Sequence, residues 1–226
     1  MEFSNRLILW YNEHKRHLPW RETHNPYYIW LSEIMLQQTR VAQGLPYYLK
    51  FIENFPTVFD LAKANEEQVL KLWQGLGYYS RARNLHQTAQ KIAFEYNGVF
   101  PDNYKDLLKL KGVGEYTAAA IASISFNEAV PVVDGNVFRV LARYFAIDTD
   151  ILSAKAKNQF TALAFELIDK KNPALFNQAI MEFGALQCVP KNPDCKNCVF
   201  KNKCQAFLLN KVDEFPVKIN KTKIKN

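Results

Sequence analysis

Apolar residues recur along this chain at intervals of three and four. Phe3, Leu7 and Trp10 share one helical face, as do Leu85, Thr88, Ala89 and Ile92. Runs that alternate every second residue are scarce, so the pattern predicts an all-α fold. Breaks fall at Pro26, at Gly75 and Gly77, from Gly98 to Pro101, at Gly112 and Gly114, and at Pro131. Intervals of that length imply about ten short helices joined by tight connections. There is no internal repeat. The end of the chain, 211–226, is rich in lysine, lacks a helical period and reads as a linker.

Composition adds limits to this picture. A chain of 226 residues, 48% apolar and 14% aromatic, can build one sizeable core or two lobes. No apolar run approaches the roughly 18 residues of a membrane helix, and Met1 to Trp10 lack the order of a secretory signal, so the expectation is a soluble, intracellular, cytoplasmic protein. The net charge of +7 suits a polyanionic partner, but five lysines against Asp213 and Glu214 place +3 of it in the last sixteen residues. Any nucleic-acid contact therefore has to be argued from placed residues, since phosphate attraction reads no sequence.

Chemistry is concentrated in three places. Cys188, Cys195, Cys198 and Cys204 are separated by six, two and five residues. Four thiolates on one short loop can surround zinc or an iron–sulfur cluster; two disulfides would require an oxidising compartment that nothing else in the chain indicates. Lys111-Gly-Val-Gly-Glu-Tyr116 lies between two helical stretches, and its glycines let bare backbone amides point at a phosphate from a helix N-terminus, or simply turn the chain. Two carboxylates, Glu33 and Asp134, have contrasting settings. Glu33 shares an apolar helix with Trp30 and Gln37, which should raise its pKa if it is buried, whereas Asp134 precedes a helix that it could cap.

Taken together, Trp30-Leu-Ser-Glu-Ile-Met-Leu-Gln-Gln-Thr39, the hairpin, Val132-Val-Asp-Gly-Asn-Val137 and the cysteine spacing resemble the endonuclease III and MutY family of helix-hairpin-helix DNA glycosylases, most closely its adenine-removing branch. The resemblance runs from Leu18 to Cys204. It implies a [4Fe–4S] cluster on Cys188, Cys195, Cys198 and Cys204, standing away from the base pocket and presenting Lys191, Lys196, Lys201 and Lys203 to phosphate. It implies that Glu33 is the general acid that protonates adenine at N7, that Asp134 stabilises the positive sugar, and that Asn136 assists there. Where the strand-cleaving branch carries a lysine that forms an imine with the sugar, this chain has Tyr116, which implies base release without an efficient lyase step.

The same resemblance assigns Gln38 and Tyr78 as wedges that enter the base stack when the adenine is flipped out. It assigns Gly112, Val113, Gly114 and Thr117 to the DNA grip, and Trp20, Arg21, Leu36 and Gln178 to the adenine pocket. Arg81 and Arg83 stay open between solvent and phosphate. The implied architecture is a six-helix barrel lobe, 22–124, and a cluster lobe, 1–21 with 125–210, with Glu33 facing Asp134 across the cleft. The implied partner is double-stranded DNA bearing A:8-oxoguanine or A:G mispairs, bound by a monomer. Full-length relatives carry a further domain that recognises 8-oxoguanine, and 211–226 resembles the linker leading to it. The rivals are a glycosylase for mismatched or damaged pyrimidines and a non-catalytic DNA-binding relative.

Overall fold

The computed structural model describes residues 2–219, and among these all regular structure is helical. The elements are α1 (Glu2–His14), α2 (Pro26–Leu36), α3 (Val41–Asn54), α4 (Val58–Lys63), α5 (Glu66–Trp73), α6 (Tyr79–Glu95), α7 (Tyr104–Leu107), α8 (Glu115–Phe126), α9 (Gly135–Phe145), α10 (Ala154–Leu167), α11 (Pro173–Leu186) and α12 (Gln205–Leu208), with 3-10 turns at Pro19–Arg21 and Val212–Glu214. Among the described residues no helix is long and apolar enough to cross a membrane. The chain divides into two units, 17–130 and 1–16 with 131–226.

In the 17–130 unit, α2 and α8 are apolar on nearly every face. Such helices must be surrounded. Ile29 to Met35 and Thr117 to Ile124 are accordingly buried throughout. Local signals start the helices where the sequence places them. Asn25 caps α2 by accepting from the Tyr27 amide, with Pro26 in the first turn, and α4 and α5 each open with a capping box, Thr57 with Asp60 and Asn65 with Gln68. The alanines of α8 let it lie close against α2, the helix that carries Glu33.

The other unit is built around aromatic side chains. Phe3 of α1 stacks on Phe200 of the cysteine loop with ring centres 4.9 Å apart, and Phe183 of α11 meets the same ring edge-on at 5.2 Å. Burying Phe200 contributes about 2–3 kcal/mol and ties the loop to the helices beneath it. The N-terminal helix joins this unit through polar contacts as well. The Tyr11 hydroxyl donates to Gln178 Oε1 at 2.9 Å, and Arg16 forks onto Glu182 at 2.8 and 2.5 Å while its amide donates to the same carboxylate at 2.9 Å.

Those contacts explain why the units divide at 16/17 and 130/131, several residues from the 21/22 and 124/125 expected from sequence. Arg16 is held by α11, but Trp20 packs edge-on against Tyr48 of the 17–130 unit. Glu128 accepts from the Tyr104 amide, whereas Val132 donates to Asn177. The segment read as a linker also differs from that expectation over the described residues. Phe215 is buried in the aromatic core, the Ile151 amide donates to the Val217 carbonyl, and the carbonyls of Val212 and Phe215 accept from Arg143. Residues 220–226 of that segment lie outside the described residues.

Candidate functional site

Glu33 sits one turn before the end of α2 and is only 8% exposed, beside the fully buried Trp30. Leu36 closes the helix and packs on Gly44 of α3, where an added Cβ would stand 2.8 Å from Leu36 Cδ2. Gln37 follows as the C-cap and donates through Nε2 to the Thr117 hydroxyl at 3.3 Å. The chain then turns through Gln38, an exposed residue with φ of 56°, in the left-handed region. Tyr78, 63% exposed, precedes α6 with φ of 48°. The two wedge candidates are thus both exposed and both held in a backbone conformation costly for residues with a Cβ.

The hairpin shows a division of labour between its glycines. Gly112 has φ of 77°, and a Cβ there would approach Asn84 Cβ to 2.9 Å. Gly114 has φ of −89° and ψ of 177°, with nothing within 4 Å of an added Cβ, and it opens α8 with no side-chain cap. Gly112 makes the turn, while Gly114 leaves open space at the α8 N-terminus. Val113 and Thr117, read from sequence as part of the DNA grip, point inward. Both residues are buried. Tyr116 is half-buried in the first turn of α8 beside the exposed Glu115.

Of the pocket residues assigned by resemblance, Trp20 is buried against Tyr48 and Arg21 is half-buried. Gln178, in the other unit, is half-buried with its side-chain oxygen engaged by Tyr11. Arg81 and Arg83 separate clearly. Arg83 makes a surface ion pair with Glu66 at 3.3 Å, whereas Arg81 turns inward onto backbone carbonyls.

In the 1–16 and 131–226 unit, Asp134 is the N-cap of α9. Its Oδ1 accepts from the amides of Asn136 and Val137, and its Oδ2 accepts from Asn136 Nδ2, each at 2.8 Å. Three donors thereby fix the carboxylate. Asn136 Oδ1 in turn accepts from Arg139 Nη2 at 2.8 Å; the same Nη2 donates to the Gly184 carbonyl at 2.7 Å, and Nε donates to the Cys188 carbonyl at 2.7 Å. Burial pulls the Arg139 guanidinium below its ordinary value, with Cys188 opposing that effect. Gly184 is needed because a Cβ would press to 2.7 Å from Asn136 Cβ. Arg139, Arg143 and Gly184 are parts of the site that periodicity does not reveal. Two arginines four residues apart on an otherwise apolar helix, and a glycine inside a helix, are the available signals.

All four cysteines line one cavity together with Val140, Arg143, Tyr144, Phe183 and Phe200. Burial pushes the Cys198 thiol up to about 12 and raises Cys195 and Cys204, with neighbouring cysteines adding to the shift. A set of thiolates in such surroundings requires positive charge among them. Arg143 supplies some, with Nη1 3.6 Å from Cys188 Sγ, and it also donates to the carbonyls of Val189 and Pro190 at 2.7 and 3.1 Å. Among the described residues no group of three or more His, Cys, Asp or Glu is arranged to hold a single metal ion. Lys191, Lys196 and Lys201 are exposed, and Lys203 pairs with Glu2.

The chain is similar to known proteins over most of its length. Residues 31–165 match the model of the HhH-GPD superfamily base excision DNA repair proteins. The chain belongs to that superfamily. It is 46% identical to the adenine DNA glycosylase of Homo sapiens, over 90% of this chain and 39% of that protein, and 41% identical to that of Arabidopsis thaliana, over 96% and 39%. The adenine DNA glycosylase of Buchnera aphidicola subsp. Baizongia pistaciae is 40% identical, over 98% of this chain and 63% of its own length. The chain thus spans between 39% and 63% of these relatives. Among solved structures, a thermostable thymine-DNA glycosylase is similar with a TM-score of 0.82 at 29% identity, covering 92% of this chain and 95% of that one. A non-covalent endonuclease III–DNA complex shares the fold, with a TM-score of 0.76 at 21% identity over 92% and 95%.

Proposed function

We propose that this chain hydrolyses the N-glycosidic bond of adenine mispaired with 8-oxoguanine or guanine in double-stranded DNA. The observation that carries the reading is Glu33, a carboxyl group buried in a largely apolar helix, a residue type able to act as general acid. Glu33 gives its proton to adenine N7 and the bond from the sugar to the base breaks. The carboxylate of Asp134, immobilised by three donors, stabilises the cationic sugar. Water adds its hydroxyl to the anomeric carbon and its proton restores Glu33. Tyr116 has no amine with which to form an imine, so the reaction stops at the abasic site. The hairpin amides around Gly114 grip a phosphate, and Gln38 and Tyr78 enter the stack.

The four cysteines line one cavity of their own loop, a soft donor set that fits a [4Fe–4S] cluster, and it is the six, two and five spacing, similar to that of the family's cluster loop, that favours the cluster over zinc. When bound, the cluster supplies structural order to the loop and takes no part in the hydrolysis. A second reading, removal of a mismatched thymine, is favoured by the likeness to the thymine-DNA glycosylase. Duplexes containing A:8-oxoguanine, A:G, T:G or an oxidised pyrimidine separate the two when base release is followed before and after alkali. Adenine release that needs alkali to cleave the strand is expected, and pyrimidine release without adenine release would overturn the proposal. Glu33→Gln is expected to abolish single-turnover release and to leave duplex affinity within a few-fold.

A further inference from the structure

Arg81 stands in the first turn of α6, three residues beyond Tyr78. Its Nη1 lies 3.0, 3.0 and 2.6 Å from the carbonyl oxygens of Ile34, Met35 and Gln37, and its Nη2 lies 3.3 Å from those of Leu76 and Gly77. The Thr39 hydroxyl is within reach of both nitrogens, at 3.5 and 3.4 Å. The first three carbonyls close α2, where free acceptors and the negative end of the helix dipole attract a cation. The other two belong to the loop that leads into α6. One guanidinium therefore joins two segments far apart in sequence, and its carbon sits 5.3 Å from the Trp73 ring centre and 5.5 Å from that of Tyr78.

Gln38 follows the first set of carbonyls by one residue, and Tyr78 follows the second by one. Each is exposed and each is left-handed, at 56° and 48°. Such a conformation is costly for a residue with a Cβ and persists where the surroundings impose it. We propose that Arg81 is a positioning residue that sets the spacing and orientation of Gln38 and Tyr78, and holds the last turn of α2 in register with them. The inference rests on the wedge reading given above. A phosphate contact is a poor alternative, because the Nη donors are already directed at carbonyls. Lysine could not replace it, since an ammonium has neither the planar fork nor the stacking face.

The experiment uses the full chain with Arg81→Lys, Arg81→Gln, the pair Gln38→Ala with Tyr78→Ala, and the combinations. Three quantities are read: thermal unfolding, the salt dependence of duplex affinity, and single-turnover adenine release from an A:8-oxoguanine duplex. Arg81→Gln is expected to keep the salt slope, and Arg81→Lys to remain folded and to slow release by about tenfold or more. In the Gln38/Tyr78 background the same substitution should slow release by less than about twofold, because its effect runs through residues already removed. Equal effects in both backgrounds, or a salt slope lowered by about one in Arg81→Gln, as removal of a phosphate-binding cation gives, would overturn the positioning role. So would failure of both Arg81 variants to fold. If the Gln38/Tyr78 variant releases adenine at the wild-type rate, the wedge reading itself fails and the proposal falls with it. If that variant is slow and Arg81→Lys is not, the positioning role alone is refuted.

Discussion

Two glycines of one hairpin differ in what they would tolerate. Gly112 needs its missing side chain twice, for a φ of 77° and for the 2.9 Å approach to Asn84. Gly112→Ala is therefore expected to cost about 2 kcal/mol, seen as a lowered midpoint in thermal unfolding. Gly114 meets neither constraint. Gly114→Ala should stay within about 1 kcal/mol of the parent in stability and yet weaken duplex binding, because the added methyl occupies the space in front of the α8 amides. Equal affinity for duplex in both proteins would argue against a phosphate at that position. Arg139 shows the opposite economy, with one side chain serving Asn136, Gly184 and Cys188. It is 9% exposed, so Arg139→Gln leaves several carbonyls unsatisfied and should cost about 2–4 kcal/mol. Base release should slow and iron per chain should fall, while duplex affinity holds. The apolar setting of Glu33 is legible in the sequence through its helix, and Asp134 fills the capping position its neighbours predict. The roles of Arg81 and Arg139 are not legible there, because a buried arginine and a solvated one look alike until the carbonyls that receive them are placed.

At the scale of elements, periodicity makes α1 and α6 legible, and in α9 the Asp134 cap agrees with it. The short helices α4 and α5 are set by capping boxes of four residues, a signal too local for a periodicity argument. The segment after α12 departs from its linker-like pattern for a different reason. Lysines and a missing helical period describe its solvent side, while Phe215 and the carbonyls that Arg143 receives decide where it lies. If 212–219 behaved as a free linker, Phe215→Ala would be neutral. Docked as it is, the substitution removes a buried aromatic ring and is expected to destabilise the protein by about 3 kcal/mol. A chemical denaturation curve measures this. The effect should extend to the cysteine loop, since Arg143 holds the carbonyls of Val212 and Phe215 with one nitrogen and those of Val189 and Pro190 with the others. Slower incorporation of iron on reconstitution is the corresponding readout.

For the whole molecule, the net charge of +7 gains meaning once it is divided between the units. Residues 17–130 contain eleven Lys and Arg against eleven Asp and Glu, so the entire excess lies with the cysteine loop, its supporting helices and the C-terminal lysines. Glu33 and the wedge candidates thus sit on a unit with no net attraction for DNA, and Asp134 sits on the one that has it. Under the proposed function, such a division leaves long-range capture of DNA to one unit and reading of the base to the other. Lys191, Lys196 and Lys201 are exposed, whereas Lys203 already has Glu2 as a partner. Replacing the first three with glutamine should weaken binding to mispaired and fully paired duplex alike. It should also reduce the slope of log affinity against log salt by about 0.9 for each phosphate no longer neutralised. The single-turnover rate at saturating protein should not change, because those lysines lie outside the groups proposed to act on the base. Titrations at several salt concentrations test this directly. An unchanged slope would move the phosphate-binding role from the cysteine loop to the hairpin and the remaining lysines.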